Sequence, residues 1–145
     1  MSKIVLISCV SQKNNFPCKA KDLYISPLFI KSLKYAKQLN PDKIYILSAK
    51  YGLLDSEKII EPYNMTLKDF SKEEKLEWAQ KVLIDLHEQT SLRKDEFVIL
   101  AGNVYCENLL KHIKNYTLPM GNLPIGKRLK WLTENTQENI EGLLF

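Results

Sequence analysis

No apolar run in this sequence approaches the roughly 20 residues that a membrane-crossing helix needs, so a helical membrane span is excluded as a reading. Arginine is scarce, at Arg93 and Arg128 only. Bidentate reading of guanine edges or of many phosphates is therefore poorly supplied. Histidine is limited to His87 and His112, both in helical patterns. The cysteines Cys9, Cys18 and Cys106 form no CxxC pair. With no His/Cys cluster, no metal site is expected, and an odd cysteine count without paired spacing reads as reduced thiols. No GxGxxG and no Walker A stretch occurs, so neither a dinucleotide nor an ATP site is indicated and no cofactor is expected.

What is present is an ordinary globular composition. The chain has 145 residues, 45% hydrophobic and 26% charged. That length is the size of one domain and buries about two-thirds of its unfolded surface. The opening Met1–Cys9 is too short in apolar residues for a signal peptide, and no small-residue cleavage site follows. It is read as the first strand of a cytoplasmic protein. The net charge of +4 is unevenly spread: residues 1–50 carry nine lysines against Asp22 and Asp42. Such a basic first third suits phosphate-bearing partners, and it equally suits a solvated lysine-rich surface.

Three short apolar runs, Lys3–Ser8, Lys43–Ser48 and Phe97–Ala101, are β-branched or aromatic and nearly continuous. That pattern predicts strands buried on both faces of a parallel sheet. Helices are expected between them. Ser26-Pro27 reads as an N-cap followed by proline at the first helical position, and the helix runs to about Leu39, before Pro41. Ser71-Lys72-Glu73-Glu74 is a capping box, followed by an apolar stripe at Leu76, Ala79, Val82, Leu83 and Leu86. Val104 to about Ile113 and Ile125 to about Leu132 read as two more helices, with Asn103 as N-cap of the first. The predicted fold is a single α/β domain over residues 1–145. It is a three-layer α/β/α arrangement with a mostly parallel, Rossmann-like sheet. Segments 10–25, 49–70 and 115–124 are read as long irregular connections, where function tends to sit.

Ligands of open parallel sheets bind outside the carboxyl ends of the strands. The three exits here are Ser8-Cys9-Val10-Ser11-Gln12-Lys13, Ser48-Ala49-Lys50-Tyr51-Gly52 and Gly102-Asn103-Val104-Tyr105. Candidate ligand or phosphate contacts are therefore Ser8, Lys13, Ser48, Lys50, Tyr51, Gly52, Gly102 and Tyr105. Lys13 and Lys50 would meet a phosphate together with the helix starting at Asn103. Downstream, Ile59–Met65 contains Glu61-Pro62-Tyr63. Tyr63 offers a face for a base and Glu61 a general acid or base where histidine is missing. The candidate catalytic residues are Glu61, Tyr63 and Asn103. Each has a plain structural alternative: strand-end caps for the serines, core filling for Tyr63, an ion pair for Glu61.

At these residues the sequence resembles the YaaA-like peroxide-stress superfamily. Ile7–Lys13 is similar to that family's opening strand with its serine and lysine. Leu47–Leu54, with Glu61-Pro62-Tyr63 downstream, resembles its serine-x-x-tyrosine-glycine block and proline-tyrosine pair. Leu100–Tyr105 resembles its asparagine-x-tyrosine block after the last core strand. The resemblance implies a compact α/β fold and a link to DNA or oxidative DNA damage, without a settled activity. Longer members carry an inserted DNA-binding helical element between the first two blocks, where this chain has little more than one helix. The expectation is therefore a short version whose work is done by the core pocket. Its partner would be a nucleotide or nucleic acid, with no membrane partner and the oligomeric state left open. The leading activity is hydrolysis of an N-glycosidic bond of a nucleotide or modified DNA base. The alternatives are a non-catalytic DNA- or nucleotide-binding stress or phage-conflict factor, and a protein–protein interaction module.

Overall fold

In the computed structural model, which describes residues 1–121 and 123–136, Lys3–Ser8 is strand β1. Its four central residues Ile4, Val5, Leu6 and Ile7 are all buried. Successive strand side chains alternate between faces, so both faces of the sheet are covered. The chain then makes a two-residue strand, Cys18–Lys19 (β2), and a single turn, Ala20–Leu23 (α1). Pro27–Gln38 (α2) begins where predicted, with the Ser26 hydroxyl oxygen accepting the Phe29 N–H at 3.2 Å. It ends where Asn40 takes a left-handed φ of 53° ahead of Pro41.

Lys43–Ser48 (β3) lies parallel to β1, and Gly52–Asp55 (β4) folds back antiparallel on it. Ile59–Ile60 (β5) pairs with β2 as a separate two-stranded sheet. After a 3-10 turn at Leu67–Asp69 comes Lys72–Gln89 (α3), whose Ser71–Glu74 capping box is fully formed. Glu96–Leu100 (β6) lies parallel to β1 on the side away from β3. Asn103–Cys106 (α4), a 3-10 turn at Leu110–His112, Tyr116–Thr117 (β7) and Ile125–Asn135 (α5) complete the described chain. The main sheet has the order β4-β3-β1-β6-β7, all parallel except β4. Helix α2 packs on β1 with α5 against it, and α3 packs on β4.

The α/β class and the parallel core are as expected, and four local expectations are corrected. The three stretches expected to be irregular are not plain loops: 10–25 contains β2 and α1, 115–124 contains β7, and 49–70 contains β4 and β5, because the chain reverses immediately after β3. The helix predicted from Val104 to Ile113 is one α-turn followed by tight turns. Its apolar positions Tyr105, Cys106, Leu109 and Ile113 are buried at helical spacing. Its hydrogen bonds shorten to the three-residue kind at Leu109, His112 and Ile113, which winds the segment too tightly for an α-helix. Asn103 is the first residue of α4, and Gly102 holds the cap position with no side-chain bond. In α3 the buried stripe is Trp78, Ala79, Val82 and Leu86, while Leu76 is exposed. The indole of Trp78 has more area to bury and takes the stripe toward itself.

The capping box makes a direct prediction. The Ser71 hydroxyl accepts the Glu74 N–H at 3.1 Å, and the Glu74 carboxylate accepts the Ser71 N–H at 2.8 Å. Ser71→Ala is expected to cost about 1 kcal/mol of unfolding free energy, read as a lower urea midpoint at unchanged slope.

Candidate functional site

The strand order dictates where a crevice opens. From β1 the chain crosses to β3 on one side, and later enters β6 on the other. The connections leaving β1 and β6 therefore diverge, and a parallel sheet binds ligands at such a switch point. A cleft of about 300 Å³ lies there. One wall is the β1 exit, with Ser8, Cys9, Val10, Ser11 and Lys13. The β6 exit supplies Gly102, Val104 and Tyr105. Asn64, Met65, Thr66 and Lys68 come from the segment before α3, and Leu28, Ile125 and Arg128 from the starts of α2 and α5. Among the described residues, three cations line this cleft and no carboxylate does. Its apolar portion is Val10, Leu28, Met65, Val104 and Ile125, so it suits an anion attached to a less polar body.

Lys13 is half-buried, and its Nζ stands 4.4 Å from the centroid of the Tyr63 ring and 5.7 Å from that of Tyr24. The partial negative charge of the ring faces holds an ammonium there. Burial still pulls the Lys13 amine below its ordinary value, with the nearby Cys9 opposing that fall. Beneath it runs a chain of hydroxyls: Tyr63 bonds Tyr24 at 2.6 Å and Ser48 at 2.7 Å. On the other side the Cys9 thiol donates to the Tyr105 hydroxyl at 3.3 Å, which also receives the Leu67 N–H at 3.4 Å. Burial raises the Tyr24, Tyr63 and Tyr105 phenols well above their usual value. They are neutral posts that fix the cleft floor, unsuited to serve as bases near neutral pH.

The structure brings together four of the residues singled out from sequence, Ser8, Lys13, Gly102 and Tyr105. It does not bring the β3 exit. Ser48 pairs with Gly52 across the hairpin, and Gly52 adopts a φ of 70° that suits glycine. The buried Ser48 hydroxyl caps the turn by accepting the Tyr51 N–H at 3.0 Å. Tyr51 packs edge-on against Tyr63. Lys50 is exposed, with Nζ 5.3 Å from the centroid of the Tyr51 ring. Tyr63 supports Lys13 from below and does not line the cleft. Glu61 is exposed and lies outside it, without a hydrogen bond or ion pair among the described residues. Asn103 is exposed and donates to the Glu107 carboxylate at 3.0 Å. The one-turn α4 that it opens adds little dipole to the cleft.

Cys9, Thr66, Lys68 and Arg128 are among the lining residues that the sequence pattern does not single out. Cys9 belongs to the β1 exit itself. Arg128 had a weaker signal: it is one of only two arginines, and it follows a proline-led helix start. Among the described residues no three His, Cys, Asp or Glu side chains group so as to hold a metal ion. No described helix is long and apolar enough to cross a membrane.

No curated protein and no solved structure matches this chain. One protein family does match, over residues 4–134, a span that takes in both strand exits and Arg128. The chain belongs to that family, DUF6884, a family of unknown function.

Proposed function

We propose that the protein binds a nucleotide, free or within a nucleic acid, in the switch-point cleft, and does so in the cytoplasm. The observation that carries this reading is the lining among the described residues: Lys13, Lys68 and Arg128 with no carboxylate, beside an apolar wall. Cations unopposed by acids draw phosphates, and apolar side chains receive a base or sugar. The likeness of Ser8, Lys13, Gly102 and Tyr105 to residues of the YaaA-like superfamily runs in the same direction, and a role in DNA damage or stress would follow from it. Binding is preferred to N-glycosidic hydrolysis. That reaction needs a carboxylate close to the sugar, and Glu61 lies away from the cleft.

The test is a calorimetric titration with mononucleotides and short single-stranded oligonucleotides at low and moderate salt. Binding is expected, weakening as salt rises. Lys13→Gln is expected to lose about tenfold in affinity, and Glu61→Gln to match the wild type. No binding at low salt, or affinity unaffected by Lys13→Gln, would overturn the reading. Released free base that disappears in Glu61→Gln would restore the hydrolytic alternative.

A further inference from the structure

Gly102 has a φ of −70°, a backbone conformation open to any residue. Conformational freedom therefore does not explain a glycine here, but space does. A Cβ at Gly102 would stand 3.3 Å from Arg128 Nη1 and 3.9 Å from Nη2. The guanidinium rests against the bare backbone at the end of β6. It is held there by its own Nε, which donates to the Leu123 carbonyl at 2.7 Å. Neither Nη atom has a hydrogen bond or ion pair among the described residues. One edge of the planar fork is thus used for anchoring and the other is left for a ligand, at the wall of a cleft.

The helix that carries Arg128 supports the same conclusion. Acidic residues stabilise the first turn of a helix and cations disfavour it, by roughly 0.3–1 kcal/mol each. Helix α5 begins Ile125-Gly126-Lys127-Arg128, with two cations and no acid, and Ile125 and Arg128 line the cleft. Like charge is gathered at a positive helix end. A bound anion would offset that unfavourable arrangement.

We infer that the ligand is a mononucleotide-sized phosphate monoester whose phosphate is gripped by the Arg128 fork, with Gly102 as the positioning residue that gives the fork its place. The inference rests on the nucleotide-binding reading above and narrows it from nucleic acid to a free nucleotide. A volume of about 300 Å³ is at the small end of ligand pockets, enough for one base, sugar and phosphate. A doubly charged phosphate also answers a cleft with three cations better than a single carboxylate does.

The experiment titrates the folded protein with AMP, GMP, CMP and UMP, with the matching nucleosides, and with an oligonucleotide lacking a terminal phosphate. The tightest mononucleotide is expected to bind at least about tenfold better than its nucleoside. Arg128→Lys keeps the charge and loses the fork, and Gly102→Ala crowds it. Each is expected to weaken mononucleotide binding by about tenfold to a hundredfold and to leave nucleoside binding unchanged. Circular dichroism checks that both variants fold. Mononucleotide affinity at the wild-type level in both variants would overturn the inference while the nucleotide-binding reading stands. So would an oligonucleotide that binds as tightly as the mononucleotide and is indifferent to Arg128→Lys. Absence of binding to every probe by the wild type would remove both.

Discussion

Raising the pH above about 10 is expected to unfold this protein over a narrow range. Tyr24, Tyr63 and Tyr105 have an ordinary phenol value of 10.0, and burial raises all three in the folded state. Below pH 10 the phenols are protonated whether the chain is folded or not, and their contribution is fully present. Above it the unfolded chain releases three protons that the folded chain retains. Stability then falls with pH by about 1.4 kcal/mol per group and per unit, so about 4 kcal/mol per pH unit for the three. A domain of this size has roughly 5–15 kcal/mol to lose. The measurement is urea unfolding at several pH values between about 9 and 11. Tyr63→Phe supplies the control. It removes the hydroxyl that joins Tyr24 to Ser48, costs about 1–2 kcal/mol at neutral pH, and should lower the alkaline slope by about a third. A stability unchanged from pH 9 to 11 would mean that these phenols ionise within the folded protein, and the neutral hydroxyl chain under Lys13 would have to be abandoned.

The same tyrosines separate what was legible in the sequence from what was not. Continuous apolar runs identified β1, β3 and β6, because a strand buried on both faces needs no alternation. Ser26-Pro27 and the Ser71 capping box marked helix starts correctly, since capping is local chemistry. Of the strand-exit residues, Ser8, Lys13, Gly102 and Tyr105 line the cleft, because they lie at or just after the ends of the two strands that flank the switch point. Ser48, Lys50, Tyr51 and Gly52 do not line that cleft, because β3 is followed by a hairpin and not by a crossover helix. A glycine at position 52 does not by itself decide that the turn there closes onto an antiparallel edge strand. Tyr63 was read as a stacking platform for a base, whereas its hydroxyl is engaged by Tyr24 and Ser48 and its ring by the Lys13 ammonium. Arg128 and Lys68 reach the cleft through the packing of segments far apart in the chain. No local pattern around either residue encodes that meeting.

Trp78→Ala is expected to destabilise the protein by about 3–5 kcal/mol, among the largest effects of any single substitution here. Trp78 is buried on α3, and its indole N–H donates to the Ser48 carbonyl at 2.9 Å. Its ring meets Tyr105 edge-on, with centroids 5.8 Å apart. One side chain thus ties a helix to the end of β3 and to the aromatic post beside Cys9. Truncation removes the apolar contact, leaves a cavity under Tyr105 and strips a buried carbonyl of its donor, and these losses act in the same direction. Trp78→Phe separates them: it keeps a ring against Tyr105, loses the hydrogen bond, and should cost about 1–3 kcal/mol. Urea unfolding followed by circular dichroism measures both, and Trp131 remains as a fluorescent reporter in each variant. Because Tyr105 lines the cleft and Trp78 does not, Trp78→Phe should also slightly loosen the nucleotide binding proposed above, through the position of Tyr105. Equal stability of Trp78→Ala and wild type would show that α3 is held to the β3 exit by other contacts, and that the cleft floor does not depend on this indole.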